Sequence, residues 1–138
     1  MKIIAGILNY KNTNEVKLKT NDNLHSINIP PKESGFGSSA NGGELLFLAL
    51  AVCFCNDIYR EAFKMQIKVE KAEVEVTGEF GEEGEPASKI SYNVKITANA
   101  STEKINELIK RTDQAAEIQN TLRQKNKVAL KNIKVISV

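Results

Sequence analysis

Apolar and polar side chains alternate along the first part of the chain, which is the pattern of half-buried β-strands. The alternation is clear over residues 15–20 and 24–29, and residues 2–8 form a third strand candidate. Asparagine-rich turns separate these segments, and two consecutive prolines end the last one. Residues 1–30 therefore predict an antiparallel β-meander.

The middle of the chain changes from alternation to a long apolar segment. Residues 31–43 are rich in glycine and serine and predict a loop, with Asn41 suited to cap a helix. Residues 43–64 predict that helix. Its first half is apolar on every side and its second half is amphipathic, with Ile58 and Ala62 on the buried stripe. Four charged residues are expected to face solvent or a partner: Asp57, Arg60, Glu61 and Lys64.

The remaining pattern predicts a β-hairpin over residues 67–97, with a glycine-rich acidic connection between its strands. Residues 101–138 then predict two helices, the second over 113–125, and a closing strand over 128–138. The predicted order is β-β-β-α-β-β-α-α-β, an α+β fold. We expect residues 1–138 to form a single domain, because no boundary or repeat interrupts the pattern.

The central helix also predicts an assembly. A helix that is apolar on every side needs cover on every side, and one sheet of a 138-residue chain can hardly supply it. We therefore expect a homodimer in which the two central helices pack together, with the sulfur of Cys53 facing the shared interface.

Charge and composition exclude some partners. A net charge of +2 and 6% aromatic residues do not favour nucleic-acid binding. The longest apolar run, residues 45–55, is shorter than the ~20 residues that span a bilayer, so no membrane association is predicted. With no recognisable targeting segment, we expect a cytoplasmic protein. Two cysteines and a lone His25 predict neither a disulfide framework nor a metal site, and no cofactor is expected.

Cys53 is the main candidate for chemistry. A thiol on an apolar helix is either an inert core residue or a reactive group kept from water. Cys55 lies about 200° around the helix from Cys53, so the two cannot pair within one chain and Cys55 is expected to serve packing. Asp57 would raise the pKa of the Cys53 thiol if both faced the same way. Arg60 lies about 10 Å further along the axis, near the limit of its reach.

Residues 35–54, Gly-Phe-Gly-Ser-Ser-Ala-Asn-Gly-Gly-Glu-Leu-Leu-Phe-Leu-Ala-Leu-Ala-Val-Cys-Phe, resemble the signature of the OsmC/Ohr family. Residues 113–122 resemble that family's second cysteine motif, and the similarity extends over nearly the whole chain. The resemblance implies an OsmC-like fold, with antiparallel sheets around long central helices in an intertwined homodimer. It also implies thiol-dependent reduction of organic hydroperoxides.

The resemblance further implies a set of catalytic residues, which this chain matches in part. Cys53 stands at the position of the family's peroxidatic cysteine. The family's glutamate falls on Gly43, and Glu44 follows one residue late as a catalytic candidate out of register. No arginine precedes Arg60, so the N-terminal arginine of the family is missing, and Ala116 occupies the position of the resolving cysteine.

Two functions follow as hypotheses. The first is a one-cysteine hydroperoxide reductase, in which an external thiol resolves the oxidised Cys53. The second is a non-enzymatic dimer that binds a small apolar ligand at the subunit interface. Four aromatic residues are candidates to line that ligand site: Phe36, Phe47, Phe54 and Tyr59.

Overall fold

The N-terminal residues form a three-stranded antiparallel sheet, as the alternation predicted. The structure is a computed structural model that describes residues 1–124, 126–136 and 138. The sheet contains β1 (Ile3–Tyr10), β2 (Thr13–Thr20) and β3 (Asn23–His25), paired in that order. β3 is shorter than predicted, because residues 26–30 make no strand pairing.

The predicted loop before the central helix folds back on the β1–β2 hairpin. The amide of Asn12 donates to the carbonyl of Gly35 at 3.2 Å, and the amide of Gly37 donates to Asn9 Oδ1 at 3.2 Å. Gly35 has φ of 81°, and a Cβ there would lie 1.8 Å from Asn12 Oδ1. The positive φ favours glycine at position 35, whereas the Asn12 side chain could move away from an added Cβ.

The central helix, α1 (Gly42–Lys64), begins with a capping box. Asn41 Oδ1 accepts from the amide of Glu44 at 2.9 Å, and Glu44 Oε2 accepts from the amide of Asn41 at 2.7 Å. Asn41 is therefore the N-cap, as predicted. The helix ends where Gln66 takes a left-handed conformation, with φ of 55°, and the amide of Ile67 donates to the carbonyl of Ala62 at 2.9 Å.

The second half of the chain forms a hairpin followed by two helices. The hairpin consists of β4 (Lys68–Glu79) and β5 (Ser88–Asn99), paired antiparallel. The helices are α2 (Thr102–Ala115) and the short α3 (Glu117–Arg123). Ser101 caps α2, since its side chain accepts from the amide of Lys104, so the predicted cap is confirmed.

Contacts between residues divide the chain into two compact units, residues 1–46 and residues 47–138. The first unit holds the N-terminal sheet and its loop. The second holds the main core, where α1, the hairpin and the two later helices contribute buried apolar side chains. That core comprises Phe54, Ile58, Ala62, Ile67, Leu108 and Ala116. Ile58 and Ala62 are therefore buried as the helical pattern predicted.

Two carboxylates on α1, which were expected to face solvent or a partner, are buried in the structure. Asp57 and Glu61 are only 5% and 6% exposed. Their burial is possible because each forms an ion pair with a cation of the same helix. Arg60 Nη1 lies 3.1 Å from Asp57 Oδ1, and Lys64 Nζ lies 2.6 Å from Glu61 Oε1. The solvent-facing alternative was therefore wrong for these two residues.

The predicted closing strand is not formed among the described residues after α3. Residues 126–136 and 138 make no strand pairing, and their apolar side chains, such as Val128 and Leu130, are exposed. A strand forms by hydrogen-bonding to a neighbouring edge, and these residues pair with no strand of the described chain. Lys125 and Ser137, which the predicted second helix and closing strand included, lie outside the described residues.

α1 also carries a second apolar stripe that the described residues leave exposed. Four of its large side chains are about half exposed or more: Leu48, Val52, Tyr59 and Phe63. At 100° per residue these positions fall within about 60° of one another around the helix. By length and composition α1 could also cross a membrane, although the core helix of a soluble protein meets the same test.

Leu108→Ala should destabilise the second unit by about 2–5 kcal/mol, because Leu108 is fully buried and truncation leaves a cavity. The matched control is Lys110→Ala, an exposed position on the same helix that should change the free energy of unfolding by less than about 0.5 kcal/mol. Urea denaturation followed by circular dichroism measures both. Equal stabilities for the two variants would contradict this core assignment.

Candidate functional site

The first turn of α3 is held beside α1 by polar contacts at both ends of the helix. The Gln119 side-chain amide donates to the carbonyl of Leu50 at 2.9 Å, which ties α3 to α1. At the far end, Arg123 Nη2 lies 2.6 Å from Asp113 Oδ1, and the Tyr92 hydroxyl donates to the same carboxylate. These contacts join α3 to α2 and β5, so the residues that begin α3 have a defined position next to Cys53.

Cys53 lies partly buried against the core cluster, between α1 and the start of α3. Its thiol donates to Asp57 Oδ2, with a sulfur–oxygen distance of 3.6 Å. The Cys53 sulfur and one carboxylate oxygen each from Asp57 and Glu117 all lie within 4.8 Å of one another. The backbone of Ile118 also hydrogen-bonds to the sulfur. The sulfur thus faces α3 of its own chain, and its predicted place at a subunit interface stays a prediction.

Arg60 is the cation of this site. Its Nη1 atom lies 3.1 Å from Asp57 Oδ1 and 3.2 Å from Glu117 Oε1, so one guanidinium bridges both carboxylates. We call Cys53, Asp57, Arg60 and Glu117 the thiol cluster. With the thiol neutral, the cluster holds two negative charges and one positive charge.

The thiol cluster favours a protonated sulfur. Burial raises the pKa of the Cys53 thiol, and the negative charges of Asp57 and Glu117 raise it further, while the hydrogen bond from the Ile118 backbone opposes them. Burial also raises the pKa of the Asp57 carboxyl, although the neighbouring Arg60 works in the opposite direction. At neutral pH the sulfur therefore keeps its proton, and the nearest acceptor for that proton is a buried carboxylate.

Glu44, the second catalytic candidate, belongs to the capping box at the start of α1. Its carboxylate accepts from the amide of Asn41, and its side chain is exposed. It lies nine residues before Cys53, in the residues of the first unit. Ala116, at the family's second cysteine position, is fully buried in the core cluster against which Cys53 packs.

The four aromatic candidates occupy different settings. Phe54 is buried, with its ring 5.0 Å from that of Tyr92, and it lines a cavity of about 490 Å³ beside α2 and β5. Phe47 stacks on Phe80 at 5.9 Å. Tyr59 and Phe36 are exposed. An apolar ligand site shared between subunits stays a prediction, since it concerns an interface beyond this chain.

The donor set of the thiol cluster also bears on metal binding. Cys53, Asp57 and Glu117 could offer three ligand atoms by distance alone. Arg60, however, already contacts both carboxylates, and a divalent cation would have to displace it. This arrangement does not fit a resident metal, and no metal role is derived for it.

Sequence reasoning weighed Asp57 and Arg60 near the thiol but did not include Glu117. The sequence does carry one indication of Glu117: it directly follows Ala116, which the resemblance places at the family's second cysteine position. Since that cysteine must approach the first one in the family, its neighbour in sequence must also lie near Cys53.

Comparisons with known proteins agree with this architecture. A sequence model of the family described as OsmC-like protein matches residues 35–131, which is more than two thirds of the chain. The chain therefore belongs to the OsmC-like family. A comparison with curated proteins gave no match.

Three solved structures illustrate the shared fold. An OsmC-like protein from Mycoplasma pneumoniae is 19% identical with a TM-score of 0.66, covering 89% of this chain and 88% of its own. An organic hydroperoxide resistance protein OsmC from Legionella pneumophila is 18% identical with a TM-score of 0.52, covering 89% and 90%. The organic hydroperoxide resistance protein OhrB of Bacillus subtilis is 15% identical with a TM-score of 0.54, covering 89% and 91%. These likenesses establish the α+β, OsmC-like fold.

Glu117→Gln should make the Cys53 thiol more reactive at neutral pH. The substitution removes one of the negative charges that raise its pKa, so the thiolate fraction increases. A unit charge about 5 Å away in water-like surroundings is worth about 1 kcal/mol, or about a fivefold change in rate. The measurement is the rate of iodoacetamide alkylation of Cys53 against pH, read by peptide mass spectrometry.

Glu107→Gln is the matched control, because Glu107 is an exposed carboxylate on α2 whose partner is Arg111 rather than the thiol cluster. It should leave the alkylation profile of Cys53 unchanged. A Glu117→Gln profile that coincides with that of the control would show that Glu117 does not influence the thiol.

Proposed function

We propose that the protein is a thiol-dependent hydroperoxide reductase in which Cys53 is the peroxidatic residue. The observation that carries the proposal is the environment of Cys53: a partly buried thiol hydrogen-bonded to a carboxylate that an arginine also contacts. Membership of the OsmC-like family supports it, as do structural neighbours that are organic hydroperoxide resistance proteins. A role in the response to peroxide stress follows.

The reaction needs a reductant from outside the protein. The Cys53 thiolate attacks the terminal oxygen of the hydroperoxide, the O–O bond breaks, and the products are a sulfenic acid on Cys53 and an alcohol. Ala116 cannot form a disulfide, and Cys55 lies about 200° around the helix from Cys53. One small-molecule thiol then condenses with the sulfenic acid and releases water, and a second reduces the mixed disulfide and regenerates Cys53.

Arg60 supplies the positive charge that the family takes from an N-terminal arginine. It reaches the site from two turns further along α1 and contacts the carboxylates rather than the sulfur. Its charge offsets the two carboxylates, which would otherwise disfavour the thiolate still more. This difference makes the resting thiol less acidic than one paired directly with arginine.

We also propose that the protein acts as a homodimer in the cytoplasm. The second apolar stripe of α1 is uncovered in the single chain, as are the large apolar side chains of β1 and of the segment after α3. Exposed apolar surface on this scale needs a partner, and a second copy of the chain presents the same surface for mutual burial.

Cys53→Ser should abolish hydroperoxide-dependent oxidation, because serine cannot form the sulfenic acid. The test treats native protein with tert-butyl hydroperoxide in the presence of dimedone and follows the adduct by mass spectrometry. Cys55→Ser is the matched control and should retain oxidation of Cys53. Wild-type protein whose Cys53 stays unmodified would refute the proposed activity, and a co-purifying apolar molecule in native mass spectrometry would then favour the ligand-binding hypothesis.

Leu48→Glu should convert the dimer to a monomer, because it places a charge in the second apolar stripe. Size-exclusion chromatography with light scattering measures the mass. Lys104→Glu, at an exposed position on α2, should leave the dimer intact. Wild-type protein that runs as a monomer would contradict the proposed assembly, and wild-type protein that pellets with membranes would indicate that α1 is covered by lipid instead.

A further inference from the structure

Asp57 is positioned to accept the proton of the Cys53 thiol as well as to raise its pKa. It is 5% exposed, lies one helical turn after Cys53, and uses its two oxygens for different partners. Oδ1 contacts Arg60 Nη1 at 3.1 Å, and Oδ2 accepts from the Cys53 thiol at 3.6 Å. The bond to Arg60 therefore fixes the carboxylate with its other oxygen directed at the sulfur.

We propose that Asp57 is the proton carrier of the reaction, taking the proton of the Cys53 thiol and returning it to the alkoxide that leaves the hydroperoxide. This inference rests on the proposed function and adds a catalytic residue to it. Within the described chain, the charged groups that face the thiol are Asp57 and Arg60 from α1 and Glu117 from α3.

The proton balance of the step is complete without another acid. The thiol proton moves to Asp57 Oδ2 along the existing hydrogen bond, and the resulting thiolate attacks the terminal oxygen of the hydroperoxide. The O–O bond breaks, the sulfur is oxidised by two electrons to the sulfenic acid, and an alkoxide is released. The alkoxide takes the proton from Asp57, which restores the carboxylate. The product alcohol carries the proton that began on the thiol.

The raised pKa of the Asp57 carboxyl supports this assignment alongside the geometry. A carboxyl whose pKa is raised by burial holds a proton better than an exposed one, and it still gives that proton readily to an alkoxide. Glu117 belongs to the same cluster but is exposed, and its pKa is lowered, first by its backbone hydrogen bond and then by Arg60. Glu117 therefore acts through its charge, whereas Asp57 contacts the reacting sulfur.

If Asp57 carries the proton, its removal should slow the reaction with hydroperoxide. If Asp57 acts only through its negative charge, its removal should speed that reaction. Asp57 and Glu117 both raise the pKa of Cys53, so removing either charge should increase the thiolate fraction. Iodoacetamide reports that fraction alone, because its leaving group is iodide and takes up no proton. A hydroperoxide also needs a proton for its leaving group. The two reagents together separate charge from proton transfer.

The experiment compares wild-type protein, Asp57→Asn and Glu117→Gln with iodoacetamide and with tert-butyl hydroperoxide at neutral pH. Both variants should react faster with iodoacetamide than wild type does. Glu117→Gln should also react faster with the hydroperoxide. For Asp57→Asn, the ratio of the hydroperoxide rate to the alkylation rate should fall at least tenfold, since general acid–base groups typically contribute about 10²–10⁴.

Parallel acceleration of both reactions in Asp57→Asn would overturn the proton-carrier role and leave the proposed function standing. Wild-type protein that alkylates normally but does not react with the hydroperoxide would overturn both. A solvent isotope comparison on wild type covers the case in which Asp57→Asn does not fold. The hydroperoxide reaction should slow in D₂O relative to alkylation, and an identical solvent dependence for the two reactions would also refute proton transfer by Asp57.

Discussion

The first half of helix α1 is apolar around its whole circumference, and the described residues cover one stripe of the helix. That stripe, which includes Leu50, Phe54 and Ile58, forms the core of the second unit. The opposite stripe is uncovered, so burying it requires a partner. Cys53 falls between the two stripes, about 90–110° from the centre of each. The thiol is therefore partly buried by its own chain and also close to the surface that a second subunit would cover.

The same helix explains how a charged site can exist beside an apolar core. Asp57 and Glu61 continue the buried stripe. Each forms an ion pair with a residue three positions later on α1, Asp57 with Arg60 and Glu61 with Lys64. A buried carboxylate without such a partner would be costly. α3 completes the arrangement with Glu117 and the Ile118 backbone, and it is held there by Gln119 and Arg123. The site thus depends on helix packing rather than on a long loop.

Local pattern was sufficient to predict most of the elements. Alternation identified the meander and the hairpin, and Asn41 and Ser101 identified two helix starts, because these signals act within a few residues. The closing strand is not formed among the described residues, because sequence alternation carries no information about the edge with which a strand would pair. Burial of Asp57 and Glu61 also could not be predicted, because hydropathy places charged residues outside unless their partners are known. The proposed dimer concerns a surface between two chains, so the apolar pattern of α1 gives a reason to expect an assembly but not its geometry.

The missing N-terminal arginine has a physical consequence for the site. An arginine directly on the sulfur stabilises the thiolate, so the resting enzyme is already activated. In this chain Arg60 contacts the carboxylates of Asp57 and Glu117, and the Cys53 thiol donates to Asp57. The sulfur therefore keeps its proton at rest. Activation then requires that proton to move, and a buried carboxylate with a raised pKa is an acceptor within hydrogen-bonding reach. A thiol with a raised pKa reacts slowly with oxidants at rest, because only a small fraction of it is present as the thiolate.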